Sequence, residues 1–150
     1  MAAVELAIIL PIFLLVLFGI VEFGGMMYDQ QIIETAAREG ARWGAAQSIS
    51  ANHPISCSDP VIQQIMGGPN CSGTQNGNQT ACSTASNFAS SSVFSFQQSN
   101  QPNVMVSCDP SGPFLAVTVS YSFGGLGGLG GLDPVGGMTS LNATSSMYFE

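Results

Sequence analysis

One carboxylate, Glu5, lies inside an apolar run that continues to Val21, and its chemistry sets the first question about this sequence. An ionised carboxylate alone in lipid or in a dry protein interior costs several kcal/mol. The sequence has no lysine, and its two basic side chains are Arg38 and Arg42. Arg38 lies about 50 Å further along a straight helix, which leaves the α-amino group of Met1 as the amine within reach. We therefore expect Glu5 to pair with an N-terminal amine, either its own or that of a neighbouring copy.

Two explanations of Glu5 are open from the residues alone. In a bundle of helices, a carboxylate paired with a neighbour's amine would set the axial register, because a shifted register would leave a buried charge unpaired. In a single membrane anchor, Glu5 would instead be protonated or would extend toward the headgroups. Only the first explanation makes this carboxylate a requirement for assembly.

Four cysteines, Cys57, Cys71, Cys82 and Cys108, lie in the polar part of the chain. No pair has the C-x-x-C spacing of a zinc site. An even number of cysteines in a region rich in Ser, Asn and Gly predicts two disulfides formed in an oxidising compartment, with buried free thiols as the alternative. Of the three possible pairings we favour Cys71–Cys82, which closes a local loop, together with Cys57–Cys108.

The charge composition excludes several classes of function. Charged residues make up 7% of the chain, and nine acidic side chains face two basic ones. Nucleic-acid binding and a polybasic membrane-surface patch are therefore not expected, because too few cations are present. The single histidine and the scattered carboxylates form no nucleophile–base pair or metal cluster, so we expect neither an enzyme nor a cofactor. Three N-x-[S/T] triplets, at Asn70, Asn78 and Asn142, are compatible with glycosylation of an exposed surface.

The N-terminal third of the chain predicts one long helix from residue 2 to about residue 47. Leu, Ile, Ala, Phe and Glu dominate it, and Pro11 is its one strong breaker, which we expect to bend or loosen the helix near Ala7. Residues 6–21 are apolar all round, slightly short of the length of a membrane-spanning helix; extending the span through Tyr28 brings in Glu22. We expect residues 1–47 to form this helix, with a candidate membrane anchor in its first half, and residues 48–150 to form a disulfide-containing head domain.

The second half of this helix carries a stripe of small and aliphatic side chains at helical spacing. We expect the stripe to pack on the chain's own C-terminal domain or on a neighbouring subunit. Glu34 with Arg38, and Glu39 with Arg42, have spacings that favour ion pairs. The stripe comprises Ile32, Ile33, Ala36, Ala37, Gly40, Ala41, Gly44 and Ala45.

The remainder of the chain predicts a small antiparallel sheet. The segment FLAVTVSYSF alternates apolar and polar residues, and NVMVSC and SLNATSSMYF alternate more weakly. DPVIQQIM predicts a short helix capped by Asp59, whereas STASNFASSSVFSF fits a helix or a loop. GGLGGLGGLDPVGG exposes three leucines, either in a mobile loop or in a contact with another subunit. The fold class is therefore α+β: a long hydrophobic helix with a sheet of about three strands stapled by disulfides.

The N-terminal segment AAVELAIILPIFLLVLFGIVEFG, followed by AAREGAR, resembles the TadE-like proteins of tight-adherence pili, in the type IV filament superfamily. The C-terminal segments VTVSYSF and TSLNATSSMYFE are similar to that family too. The motif combines Glu5, the early Pro11 and Glu22 of the EFG triplet. The cysteine-containing middle of the chain contributes nothing to the resemblance.

This resemblance implies a subunit of an extracellular filament that resides in the inner membrane before assembly. In that superfamily a prepilin peptidase cuts a leader four residues before the glutamate, which makes Met1 a processed N-terminus, with a start-codon methionine as the alternative. The implied partners are other copies in a helical homopolymer, other pilins, the prepilin peptidase and the assembly machinery. The resemblance favours a minor or priming subunit, and a membrane-anchored surface binding module that never polymerises is the competing function.

Overall fold

The computed structural model describes residues 2–49, 57, 60–67, 79–94, 101–109, 114–124 and 139–148. Its three helices are α1 (Ala2–Ile49), α2 (Pro60–Met66) and α3 (Ala81–Ser92). Its three strands are β1 (Asn103–Asp109), β2 (Phe114–Phe123) and β3 (Thr139–Tyr148). We call α2, α3 and the sheet the head. The predicted α+β class, a long apolar helix with a three-stranded antiparallel sheet, is confirmed.

Helix α1 has 48 residues and remains helical through Pro11. A helix of that length extends about 70 Å, far more than the head can cover. It ends two residues beyond the predicted position, which is within the usual spread of helix ends. The division of the chain into domains at residue 47 stays a prediction.

The sheet has the order β1-β2-β3, with β2 in the centre. Val119 of β2 lies opposite Val104 on one side and Ala143 on the other. The burial of β2 follows the apolar–polar alternation that predicts this strand. Its buried face consists of Leu115, Val117, Val119, Tyr121 and Phe123. On the other face, Phe114 packs beside Tyr148, and the four alternate residues that follow it, Ala116, Thr118, Ser120 and Ser122, are small or polar and half-buried or exposed.

The apolar face of the sheet and helix α3 both pack against the second half of α1. Ile33, Ala36, Ala37 and Ala41 of the small-residue stripe are buried in this core. Gly40 lies so close to α3 that a Cβ there would be 2.8 Å from the Ala85 Cβ. The stripe therefore packs against the chain's own head, which is the first of the two partners that the sequence leaves open.

Helix α3 covers most of the segment for which the sequence leaves both a helix and a loop open. Its start is fixed by a capping box: the Thr80 hydroxyl accepts from the Ser83 N–H at 3.0 Å, and the Ser83 hydroxyl accepts from the Thr80 N–H at 2.8 Å. Its buried side chains are small: Ala81, Cys82, Ala85 and Ala89. Small side chains let α3 lie directly on α1.

Several predictions fall on parts of the chain that the structure does not describe. These are the cap at Asp59 and the three leucines of the Gly–Leu segment, Leu126, Leu129 and Leu132. They stay predictions.

Candidate membrane and assembly surface

The first half of α1 presents an apolar surface that the head does not cover. Residues 6–21 are all apolar, and each is exposed or half-buried; Ile8 is 65% and Ile20 69% exposed. Such a surface is unfavourable in water and favourable in lipid or among other apolar helices. Within the described residues, α1 is the one helix whose length and apolar composition, over Glu5–Gln47, are sufficient to cross a membrane.

Glu5 is exposed within this apolar surface, in the first turn of α1. A negative charge in the first turn is favoured by the helix dipole. No ion pair reaches Glu5 from the described part of the chain. Met1, whose amine we expect to bind Glu5, lies outside the described residues.

The other two predicted assembly residues on α1 lie in different environments. Pro11 belongs to the same exposed surface as Glu5. Glu22 is 0% exposed and lies on the helix face that packs against the head. The structure thus places Glu5 and Pro11 on the outward apolar surface and places Glu22 on the inward face.

Sequence reasoning missed a second buried carboxylate, Asp29. It is 0% exposed, two helical turns beyond Glu22 on the same face of α1. One carboxylate oxygen, Oδ1, accepts a hydrogen bond from the Phe94 backbone N–H at 2.7 Å. The seven-residue spacing to Glu22 is a signal that both acids share a face, but the partner, 65 residues along the chain, has no sequence signal.

Burial raises the pKa of the Asp29 carboxyl above its ordinary value of 3.8, because the charged form is poorly solvated. The hydrogen bond from the Phe94 N–H works in the opposite direction and is the smaller influence. The second oxygen, Oδ2, is buried with no hydrogen-bond partner among the described residues. Asp29 therefore links α1 to the segment that follows α3, and its burial disfavours the charged form of the carboxyl group.

Beyond Glu5, the outer face of α1 carries charged side chains again from Glu34 onward. Arg38 pairs with Glu34 at 3.6 Å, as the spacing predicts, and both side chains are largely exposed. Such a pair contributes little to stability. No ion pair joins Glu39 to Arg42 within the part of the chain that the structure describes.

The cysteines connect distant parts of the head. Cys57 and Cys108 form a disulfide with their Cα atoms 5.6 Å apart, which matches the pairing that we favour. It ties the segment before α2 to strand β1. Cys82 is buried and disulfide-bonded. Cys71 lies outside the described residues, so the Cys71–Cys82 pairing stays a prediction.

One of the three candidate glycosylation sites can be placed. Asn142 is exposed on β3, on the outer face of the sheet opposite Ser120. Asn70 and Asn78 lie outside the described residues. Whether any of the three is modified stays a prediction.

A helix that is long and apolar enough to cross a membrane, and whose second half packs against a small antiparallel sheet, fits a membrane-anchored protein. The model of the family of TadE-like proteins matches residues 1–42, so the N-terminal part of this chain is similar to the TadE-like, pilin-related proteins. That family is structural rather than enzymatic. The match covers most of α1 and none of the head. No curated protein and no solved structure matched the chain.

Proposed function

We propose that this chain is a structural subunit of an extracellular type IV pilus-like filament. Before assembly, α1 holds the subunit in the inner membrane; after assembly, the same helix lies in the filament core and the head lies outside. The observation that carries the proposal is the outward apolar surface of residues 6–21, which lies within the family match. That surface needs an apolar environment in either state, so transfer from lipid to a bundle of helices costs little hydrophobic energy.

Glu5 is the residue that we propose to determine how copies align. In a bundle of α1 helices its carboxylate pairs with the N-terminal amine of a neighbouring copy. Such a pair adds little net stability, but any other register leaves a carboxylate in an apolar core at a cost of several kcal/mol. Glu5 thus selects one axial offset between neighbours. Cleavage by a prepilin peptidase and delivery by the pilus assembly machinery belong to the same proposal.

The experiment compares Glu5→Gln and Glu5→Ala with the matched control Glu39→Gln in the native host. Glu39 is also an exposed glutamate of α1, but it lies beyond the outward apolar surface. The proposal predicts that both Glu5 variants reach the membrane fraction at wild-type levels and are depleted from sheared surface filaments. The control should assemble normally. Normal filaments from both Glu5 variants, or their loss from the membrane fraction, would contradict the role of Glu5 in assembly.

Two narrower functions are compatible with the same helix. A minor or priming subunit would be found at low copy number in filaments formed by another pilin. A surface binding module that never polymerises would stay in the membrane fraction. Immunogold labelling of sheared filaments separates the three: label along the whole length supports the main subunit, sparse label supports the minor one, and no label supports the module.

A further inference from the structure

The outward surface of α1 stays apolar well past Val21, where the uninterrupted apolar sequence ends. Every described side chain from Leu6 to Tyr28 that faces outward is apolar, because Glu22 is turned inward and is 0% exposed. Glu22 therefore interrupts the apolar sequence but does not interrupt the outward apolar surface. Residues 6–28 extend about 34 Å along the helix, which matches a hydrocarbon core of about 30 Å, whereas residues 6–21 extend only about 24 Å.

The exposed residues of this extension are large as well as apolar. Phe23 is 54%, Met27 50% and Tyr28 49% exposed. Aromatic side chains are enriched at the boundary between membrane and water, and Tyr28 is the last residue of the apolar surface. The first outward polar side chains, Gln30, Gln31 and then Glu34, follow within about two turns.

Among the described residues, two aromatic side chains of the head reach the level of this extension: Phe123, which is buried, and Phe94, which is exposed. Phe94 is 49% exposed, and its ring lies 3.6 Å from where a Cβ on Gly25 would be. Its backbone is fixed to α1 by the bond from its N–H to Asp29. The ring is thus held beside α1 at the height where the apolar surface approaches its end.

We propose that the membrane-embedded surface of this protein runs to Tyr28 and includes Phe94, so that the tip of the head enters the interfacial layer of the bilayer. We use the word patch for Phe23, Met27, Tyr28 and Phe94, which lie at similar heights on different sides of α1. The occupant of this patch is lipid, because the patch is continuous with the surface of the membrane anchor. Aromatic side chains of a membrane-bound protein insert into this layer. The head is then held at a fixed height against the membrane rather than tethered above it. This inference rests on the membrane anchoring within the proposed function and does not require polymerisation.

The test places a single tryptophan at chosen positions of the full chain in phosphatidylcholine vesicles with brominated acyl chains, which quench tryptophan by contact. The chain has one tryptophan, Trp43, so each variant carries Trp43→Phe as background. Phe94→Trp is the test variant. Met105→Trp is its matched control, because Met105 is 48% exposed but lies on the outer face of the sheet. Leu15→Trp, in the middle of the outward apolar surface, reports whether the anchor is inserted. Retained protection of the head from protease confirms that each variant is folded.

We expect the Leu15→Trp and Phe94→Trp variants to lose most of their emission to the brominated lipid and the Met105→Trp variant to lose none. For the Phe94→Trp variant, quenching should be strongest when the bromines lie near the headgroups. Quenching of Leu15→Trp alone would overturn the inference and leave the anchor intact. An unquenched but blue-shifted Phe94→Trp variant would show that a second copy covers the patch, which also overturns it. No quenching of Leu15→Trp would refute the anchor and the inference together.

Discussion

The carboxylate of Asp29 in α1 accepts a 2.7 Å hydrogen bond from the backbone N–H of Phe94, the second residue after α3. This bond joins α1 to the segment that follows α3, at the level where the outward apolar surface ends. It connects the position of the head to a carboxyl group that the protein buries. Two consequences can be measured.

Substitution can separate the role of Asp29 as a hydrogen-bond acceptor from the effect of its charge. Asp29→Asn keeps an oxygen that can accept from the Phe94 N–H, whereas Asp29→Ala removes it. Leaving a part-buried donor unsatisfied costs about 1–3 kcal/mol, so Asp29→Ala should have the lower free energy of unfolding by that amount. Urea unfolding in detergent micelles, followed through the fluorescence of the half-buried Trp43, measures the difference. Equal stabilities of the two variants would show that the bond does not hold the head in place.

The charge of Asp29 predicts a pH dependence. Because burial raises its pKa above 3.8 in the folded state, the folded protein binds this proton more tightly than the unfolded chain does. The resulting stabilisation is complete below the unfolded-state pKa and is lost as the pH rises through the folded-state pKa. The wild type should therefore gain stability relative to Asp29→Asn as the pH is lowered from neutral. A stability difference that is constant with pH, or that favours Asp29→Asn on acidification, would contradict this assignment.

Glycines of α1 should respond to substitution according to what surrounds them. A Cβ at Gly40 would lie 2.9 Å from the Ala81 backbone oxygen, which cannot move without shifting α3, so Gly40→Ala should destabilise the head. A Cβ at Gly44 would meet the Leu115 side chain, which is more adaptable. Gly24 is the matched control, because a Cβ there meets nothing within 4 Å. Gly24→Ala should raise stability by up to about 1 kcal/mol through helix propensity alone. The same urea titration tests both, and destabilisation by Gly24→Ala would show an unrecognised contact.

The disulfide between Cys57 and Cys108 closes a segment with a sequence separation of 51. In the chain-entropy account, a loop of that length stabilises the folded state by roughly 4 kcal/mol. The double variant Cys57→Ser/Cys108→Ser should lose stability of that order, measured against the oxidised wild type. Because the bond ties β1 to the segment before α2, proteolysis should attack that segment first. Loss of only a few tenths of a kcal/mol would show that packing alone holds the segment.

Local pattern predicted those elements whose periodicity is strong. Strand β2 alternates strictly, and α1 combines high helix propensity with a stripe of small residues, so both could be assigned from the sequence. Helix α3 could not, because its serines and small residues favour loops as readily as helices. Its start depends on Ser83 at a capping-box position that Glu or Gln commonly fills, and its buried face depends on contact with Gly40.

The candidate surface was predictable in part for a similar reason. Glu5 and the apolar run are sequence features, and a family resemblance gives them meaning. Whether Glu22 breaks the apolar surface depends on which way its side chain faces, and that is decided by the head that covers it. The Asp29–Phe94 bond joins residues 65 positions apart, and no local pattern encodes such a pair.

The central claim, that Glu5 of one copy meets the N-terminal amine of another in a shared column of helices, is tested most directly by helical reconstruction of filaments sheared from native cells. The account predicts α1 helices packed in the filament axis, with each Glu5 carboxylate at ion-pair distance from a neighbouring subunit's amine and the heads on the outside. Native material that consists of single subunits in lipid, with Glu5 at the headgroups and in contact with no other copy, would contradict it.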